Sequence, residues 1–238
     1  MKPEDRLIVA LDFDSERKIL ESVKTLSGLV TLFKIGIGPF TACGPGIIDK
    51  IGRCGGKVFL DLKFHDIPDT VAKAVAAAVR PGVFMLNVHA LGGPDMMEHL
   101  KAIAARRAMD LGIDRPKVLA VTILTSFDQK ALNRVGIRDK IRKAVVRLAE
   151  LAKKSGLDGV IASPHEVAVL KKTFGGDFLI VTPGVRPEWA KAYDQKRVET
   201  PREALLAGAD YIVVGRPITI AANPRVAAER ILEEMRIE

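Results

Sequence analysis

The stretch VFLDLKFHDIPDT, residues 58–70, combines side chains that could transfer a proton. An apolar run leads into Asp61, Lys63 and Asp66. The preceding apolar run, TLFKIGIG at 31–38, contains Lys34. Because residues two apart on a strand share a face, Asp61 and Lys63 would point the same way. A carboxylate beside a lysine favours the ammonium form, which can deliver a proton. The spacing predicts an alternating array of charges, Lys34–Asp61–Lys63–Asp66, although a purely structural ion-pair network would have the same spacing.

Eight short apolar runs recur along the chain. They occupy residues 6–13, 31–38, 57–64, 83–90, 117–124, 159–163, 178–185 and 211–218. Most are continuous rather than alternating, which is typical of parallel strands buried on both faces. Helix-like segments lie between them, at 15–27, 41–53, 70–80, 95–111, 139–155, 165–174, 201–208 and 224–236. Eight such units predict an α/β fold, a (β/α)8 TIM barrel forming a single domain over residues 1–238, with a doubly wound open sheet as the second choice.

Polar residues recur where these predicted strands end. They are Asp12, Lys34, Asp61, Lys63, His89, Thr122, Thr125, Ser126, Ser163, Arg186 and Arg216. A single serine, threonine or histidine at a strand end is usually structural. In a TIM barrel, however, catalytic side chains come from the C-terminal ends of the strands. The recurrence at all eight predicted strands therefore favours the barrel over the open sheet.

Two glycine–arginine motifs predict a phosphate site. They are TPGVRP, which contains Gly184 and Arg186, and VVGRPI, which contains Gly215 and Arg216. They follow the seventh and eighth predicted strands, where barrels often bind phosphate. Glycine lets backbone N–H groups approach an anion, and arginine supplies forked donors. The polar segment 187–200 between them is long enough to be a lid, and its Gln195 could hydrogen-bond a phosphate or a base.

Composition and charge exclude several classes of protein. The chain is 48% hydrophobic and 28% charged, which is globular, and no apolar run reaches the roughly 18 residues of a membrane span. The formal charge of +8 permits anion binding, but aromatic residues make up only 5%, which argues against a stacking platform for nucleic acid. The N-terminus has no signal-peptide pattern, and two cysteines, Cys43 and Cys54, fit a reducing compartment. We expect a cytoplasmic protein that binds neither membrane nor nucleic acid.

Seven motifs in order give the chain a resemblance to a known family. The most specific is DLKFHDIPDTV, which matches the signature D-x-K-x-x-D-I-P-x-T without a departure. The others are ALDF at 10–13, FKIG at 33–36, VTILTS at 121–126, VTPGVRP at 181–187, DQKR at 194–197 and AGADYIVVGRPIT at 207–219. With these motifs the sequence resembles the orotidine 5′-phosphate decarboxylase family over essentially its whole length. The resemblance implies decarboxylation of orotidine 5′-monophosphate to UMP and CO2, without a metal or an organic cofactor.

The resemblance also implies roles for individual residues. Lys63 would donate the proton and Asp61 would lie against the substrate carboxylate, while Lys34 and Asp12 would hold the ribose hydroxyls. In a homodimer with shared sites, the residues that reach the neighbouring subunit's site would be Asp66, Ile67 and Thr70. Ser126 would recognise the pyrimidine and Thr125 would line the site. The phosphate would be held by Gln195, Gly215 and Arg216, with Arg186 beside them.

Two other functions are compatible with parts of the sequence. A Mg²⁺-dependent sugar-phosphate enzyme similar to 3-hexulose-6-phosphate synthase would share the D-x-K-x-x-D pattern. The residues IPDT and DQKR favour the nucleotide enzyme over that alternative. A non-catalytic nucleic-acid-binding barrel is suggested only by the positive charge, and its mark would be salt-sensitive binding.

Overall fold

The fold is a closed barrel of eight parallel strands in sequential order. The computed structural model describes residues 2–193 and 199–236. The strands are β1 Leu7–Ala10, β2 Leu32–Gly36, β3 Lys57–Phe64, β4 Val83–His89, β5 Lys117–Val121, β6 Gly159–Ile161, β7 Leu179–Pro183 and β8 Tyr211–Val214. β1 pairs with both β2 and β8, which closes the sheet. The predicted barrel is confirmed, and the open sheet is excluded.

Helices surround the barrel. The α-helices are α1 Pro3–Arg6, α2 Glu16–Leu26, α3 Ile37–Cys43, α4 Gly46–Arg53, α5 Pro68–Ala78, α6 Pro94–Met97, α7 Leu100–Leu111, α8 Gln129–Arg134, α9 Ile141–Lys154, α10 Pro164–Phe174, α11 Pro201–Leu206, α12 Arg216–Thr219 and α13 Pro224–Glu234. Short 3-10 helices span Ala90–Gly92 and Glu188–Tyr193. Across the two described ranges, none of these helices is long and apolar enough to cross a membrane.

The continuous apolar runs arise because each strand is buried on both faces. One set of side chains fills the barrel interior: Ile8, Ala10, Leu32, Phe59, Met85, Leu119, Val121, Ile161, Val181, Tyr211 and Val213. The alternate residues, such as Val9, Phe33 and Leu60, pack against the helices. Two residues after the interior residues Leu32, Phe59 and Met85, the same faces of β2, β3 and β4 carry Lys34, Asp61 and Asn87. The apolar interior therefore ends in a polar layer at the C-terminal mouth.

Two predicted helices are interrupted in the structure. The segment 41–53 divides into α3 and α4, because Gly44 has a left-handed φ of 65° and Pro45 follows it. The segment 95–111 divides into α6 and α7 at His99, whose φ is also 65°. Several strands also end earlier than their apolar runs, so that the residues after them form the loops of the barrel mouth.

Candidate active site

Three residues of the predicted array lie together at the mouth of the barrel. Lys63 Nζ is 2.7 Å from Asp61 Oδ1, and Lys34 Nζ is 3.4 Å from Asp61 Oδ2. Lys34 Nζ also lies 3.0 Å from Asp12 Oδ1, so the row of alternating charges begins at β1. The side chains of Lys34 and Asp61 are only 13% and 12% exposed, which strengthens their interaction compared with a surface pair. A Cβ at Gly36 would lie 3.1 Å from Lys34 Nζ, so glycine at this position leaves room for the ammonium.

Asn87 of β4, which is not among the residues predicted from the sequence, binds both members of the central ion pair, Asp61 and Lys63. Its Nδ2 donates to Asp61 Oδ1 at 2.6 Å, and its Oδ1 accepts from the Lys63 backbone N–H at 2.7 Å. The residue is completely buried. An asparagine inside the apolar run VFMLNVHA is the signal that could have identified it, because a buried amide needs polar partners.

The backbone of β3 departs from regular strand geometry at this point. Lys63 has a φ of 52°, and the pairing of β3 with β4 shifts register between Leu60 and Phe64. Positive φ is uncommon for residues other than glycine. Regular strand alternation is therefore interrupted at Lys63, but the side chains of Asp61 and Lys63 still meet and line the same cavity.

The Lys34–Asp61–Lys63 row borders a cavity of about 190 Å³. Lys34, Asp61 and Lys63 line one side. The other lining residues are mostly apolar: Phe59, Val121, Ile123, Leu124, Thr125, Ile161, Ala162, Pro183 and Val213. Low surrounding polarity makes a fixed ammonium more effective on a charge that develops beside it.

The loop after β5 brings Thr125, which was predicted to line the site, and Ser126, which was predicted to recognise the pyrimidine, to this end of the barrel. Thr125 lines the cavity and is exposed, and the adjacent Ser126 is also exposed. Thr122, by contrast, is fully buried, and its hydroxyl donates to the Ile161 carbonyl at 2.9 Å. Thr122 therefore joins β5 to β6 and has a structural role.

The predicted phosphate residues border a second cavity, of about 480 Å³. Arg186 and Arg216 line it together with Trp189. Gly215 begins the turn into α12, where a Cβ would lie 3.4 Å from the Cβ of Ala10. The two arginines are thus neighbours of one open space, and the phosphate site that their motifs indicate stays a prediction. Gln195 lies outside the described residues.

Asp66, Ile67 and Thr70 are exposed beyond the end of β3. The Asp66 carboxylate accepts the Ile67 backbone N–H at 2.7 Å. Among the described residues of this single chain, no ion pair joins Asp66 to Lys63. The fourth member of the predicted array therefore stays a prediction that depends on a second subunit.

Two histidines stack beside the array. The rings of His65 and His89 have centroids 5.3 Å apart and an interplanar angle of 19°. Burial, with smaller contributions from His65 and Lys63, lowers the pKa of His89 to about 4. His89 is therefore neutral near pH 7, and its Nδ1 accepts the Leu91 N–H at 3.3 Å. Within the described residues, no group of three or more His, Cys, Asp or Glu residues is arranged to hold a metal ion.

Comparison with known proteins decides the family. The family model described as "Orotidine 5′-phosphate decarboxylase / HUMPS family" matches residues 5–231. The orotidine 5′-phosphate decarboxylases of Trichlorobacter lovleyi and Geobacter sulfurreducens are each 52% identical to this chain over 231 residues. These matches cover 97% of this chain and 95% and 96% of those proteins. The chain belongs to this family.

A solved structure of the orotidine 5′-phosphate decarboxylase / HUMPS family agrees with this assignment. The crystal structure of orotidine 5′-phosphate decarboxylase from Lactobacillus acidophilus has a TM-score of 0.86 and 40% identity to this chain. The match covers 98% of this chain and 100% of that one. The family description is broader than one enzyme, whereas the two curated relatives and this structure carry the decarboxylase name alone.

Proposed function

We propose that this chain decarboxylates orotidine 5′-monophosphate to UMP and CO2, with Lys63 as the proton donor to C6. The supporting observation is the Lys34–Asp61–Lys63 row beside the small, mostly apolar cavity. The close relatives that bear the decarboxylase name support the same reaction.

The reaction needs positioned charge because the substrate cannot stabilise its own intermediate. When the bond from C6 to the carboxylate breaks, the electron pair stays in the plane of the ring, where the π-system cannot delocalise it. A Lys63 ammonium stabilises that pair and transfers one proton to C6, and CO2 leaves. The neutral amine then regains a proton from solvent. Enzymes lower barriers by roughly 8–23 kcal/mol, and this reaction requires the upper part of that range.

Asp61 has two tasks in this mechanism. Its two oxygens face Lys63 and Lys34, so its negative charge lies between the two ammonium groups. It also lines the cavity, where it would lie near the substrate carboxylate. The unfavourable approach of two negative charges is relieved when neutral CO2 departs, so Asp61 favours the transition state over bound substrate.

The remaining predicted residues would hold the nucleotide. Asp12 and Lys34 would bind the ribose hydroxyls, Ser126 would recognise the pyrimidine, and Thr125 would line the site. The phosphate would be bound by Gln195, Gly215 and Arg216, with Arg186 beside them. Binding energy from this remote phosphate can be used at C6 if the segment 187–200 closes over the nucleotide.

The direct test follows the absorbance of orotidine 5′-monophosphate after enzyme is added in the presence of a metal chelator. We expect the substrate to be consumed at the same rate with and without chelator. Lys63→Ala enzyme purified in the same way controls for contamination by the decarboxylase of the expression host. Absence of turnover, or turnover that requires Mg²⁺, would contradict the proposal.

We further propose that two copies form a dimer in which Asp66, Ile67 and Thr70 complete the partner's site. The support is their exposure just past β3, where the side chain of Ile67 is 66% exposed beside the mouth. A two-fold dimer exchanges the same patch reciprocally, so both sites would be composite.

Mixed dimers test the shared site. Lys63→Ala and Asp66→Ala homodimers should each be severely impaired. Refolding equal amounts together should leave about a quarter of all sites intact, because each mixed dimer concentrates both lesions in one site. If subunit exchange is verified and no activity returns, Asp66 serves its own subunit and the shared-site proposal is wrong.

We also propose that the enzyme works in the cytoplasm. The support is its reaction on a nucleotide and its two free thiols, Cys43 and Cys54, each half-buried. Fractionation of the native host with an antibody to this chain checks the compartment. Recovery outside the cytoplasmic fraction would contradict it.

A further inference from the structure

Asn87 connects β4 to both partners of the central ion pair. Its amide lies between the Asp61 carboxylate, at 2.6 Å, and the Lys63 backbone N–H, at 2.7 Å. Lys63 Nζ contacts the same Asp61 oxygen, Oδ1. Asn87 is completely buried, behind the two charged residues that line the cavity.

The orientation of the Asn87 amide is fixed by its neighbours. A backbone N–H can only donate, so the atom that faces Lys63 must be the carbonyl Oδ1. The Nδ2 group is then left facing a carboxylate, which can only accept. A flipped amide would oppose donor to donor at one contact and acceptor to acceptor at the other. Asparagine therefore satisfies both partners in only one orientation.

The contact to the Lys63 backbone lies where β3 is irregular. Lys63 has a φ of 52°, and His99 is the other non-glycine residue with positive φ among the described residues. A left-handed conformation of a lysine persists only where surrounding contacts hold it. The hydrogen bond to Asn87 is such a contact. The backbone conformation of Lys63 in turn sets the direction in which its side chain leaves the backbone.

We propose that Asn87 is a positioning residue, which aims the Lys63 ammonium and orients the Asp61 carboxylate for proton transfer. This inference rests on the proposed function, because it assigns Asn87 a role in the step that Lys63 carries out. Asn87 acts through its two partners and does not itself line the cavity described above. Its loss should therefore lower kcat and leave the affinity for nucleotide largely unchanged.

An Asn87→Asp variant separates positioning from a merely structural role. The new carboxyl keeps the acceptor for the Lys63 N–H but must carry a proton to donate to Asp61. Two carboxyl groups about 2.6 Å apart share one proton at low pH and repel each other once it is lost. We expect kcat relative to wild type to be highest near pH 6 and to fall at least tenfold toward about pH 9.

Other titrating groups near Asn87 must be separated from this effect. They are Asp61 and Lys63 of β3, Lys34 of β2 with its partner Asp12, and the stacked His65 and His89; β5 presents Leu119 opposite Asn87. These groups are present in both proteins, so the ratio of variant to wild-type kcat at each pH removes their direct contributions. A ratio that is constant with pH would overturn the proposal.

Asn87→Ala and Thr122→Val provide the second measurement. Asn87→Ala should lower kcat by about 100-fold, as expected for a misplaced catalytic group, while KM stays within about threefold. Thr122→Val also removes a fully buried hydrogen bond near the end of a neighbouring strand, but it touches neither Asp61 nor Lys63. It should lower stability and leave kcat nearly unchanged.

The outcomes distinguish this inference from the proposed function. If wild-type protein does not decarboxylate orotidine 5′-monophosphate, the proposed function fails. If wild type is active and Asn87→Ala loses no more kcat than Thr122→Val, Asn87 is structural only. If Asn87→Ala does not fold, the pH dependence of Asn87→Asp still decides the question.

Discussion

The Asp61–Lys63 pair at the barrel mouth and the Asp210–Lys171 pair at the opposite end have the same Nζ–Oδ distance, 2.7 Å. Both pairs are partly buried, and both join an aspartate to a lysine. The two pairs differ in what else their charged groups contact. Asp210 accepts the Ile180 backbone N–H at 2.7 Å, and Lys171 also donates to the Phe178 carbonyl at 3.3 Å. Lys63 instead borders a cavity.

This difference shows that an ion pair does not by itself mark a functional site. At the base of the barrel, the charges bind backbone groups and hold β7 and β8 together. Asp158 does the same for β5, because it accepts the Val118 N–H and pairs with Arg115. Burial alone would raise the pKa of Asp158, but its hydrogen bonds to Arg115 and Val118 outweigh burial and lower it. At the mouth, the lysine ammonium is directed toward open space that a substrate can fill.

The largest effect on stability should follow from breaking the Asp210–Lys171 ion pair. Asp210→Ala leaves Lys171 without its carboxylate and the Ile180 N–H without its acceptor, so we expect a loss of about 3–5 kcal/mol in urea unfolding. Glu150→Ala, which breaks an exposed pair with Lys154, should cost less than about 1 kcal/mol. Decarboxylation by folded Asp210→Ala enzyme should match wild type. A large loss of kcat would mean that the end of the barrel opposite the mouth also serves catalysis.

An intermediate effect is expected at the phosphate end of the mouth. Arg216→Ala removes the proposed charge-assisted contact to the phosphate and should weaken UMP binding by about 10- to 100-fold. Trp189, the chain's single tryptophan, lines the same cavity and stacks under Arg230 at 4.7 Å, so its fluorescence reports on this region. Titration with UMP should give a saturable emission change, shifted to higher concentration in the variant.

Arg225→Ala is the control for the lost positive charge, because Arg225 binds carbonyl groups of Thr25 and Ser27 instead. It should bind UMP like wild type. Saturating UMP without any emission change would show that Trp189 does not respond to the ligand. Wild-type affinity in Arg216→Ala would place the phosphate elsewhere.

A smaller effect concerns His89, at the mouth end of β4. Its folded pKa of about 4 lies below the roughly 6.5 expected when unfolded, so the unfolded chain takes up the proton first as pH falls. The stability contributed by neutral His89 is present above about pH 6.5 and is lost toward pH 4. Allowing for solvent screening, wild type should lose about 1 kcal/mol more than His89→Gln between pH 7 and pH 5.

Urea unfolding at the two pH values measures this difference. His99→Asn is the control, because His99 is exposed and asparagine tolerates its left-handed backbone. If wild type and His89→Gln lose the same stability on acidification, His89 does not carry the effect.

The barrel could be predicted from the sequence because its strands are buried on both faces. Continuous apolar runs followed by polar residues therefore located all eight strands and three members of the array. The division between α3 and α4 also had a visible signal, since Gly44 and Pro45 stand together inside the predicted helix. The left-handed residue His99 had no such signal, because histidine does not require that conformation.

Other features of the site depend on tertiary contacts that spacing does not encode. Asn87 has a signal in its own apolar run, but its link to the φ of Lys63 is a hydrogen bond between two strands, so that link cannot be read from one strand alone. The proposed role of Asp66 requires a second subunit, whose position the spacing of residues in one chain does not encode.

The most direct test compares the two lysines. Lys63→Ala should lower kcat for orotidine 5′-monophosphate by about 10⁴-fold or more, because it removes the proposed proton donor and its charge beside the developing carbanion. Its unfolding free energy should change by no more than about 1 kcal/mol, since Asp61 keeps Lys34 and Asn87. Lys171→Ala should show the reverse, with kcat within about twofold of wild type and a loss of about 3 kcal/mol in stability. Wild-type-like turnover in Lys63→Ala, or an equal loss of kcat in both variants, would contradict the account.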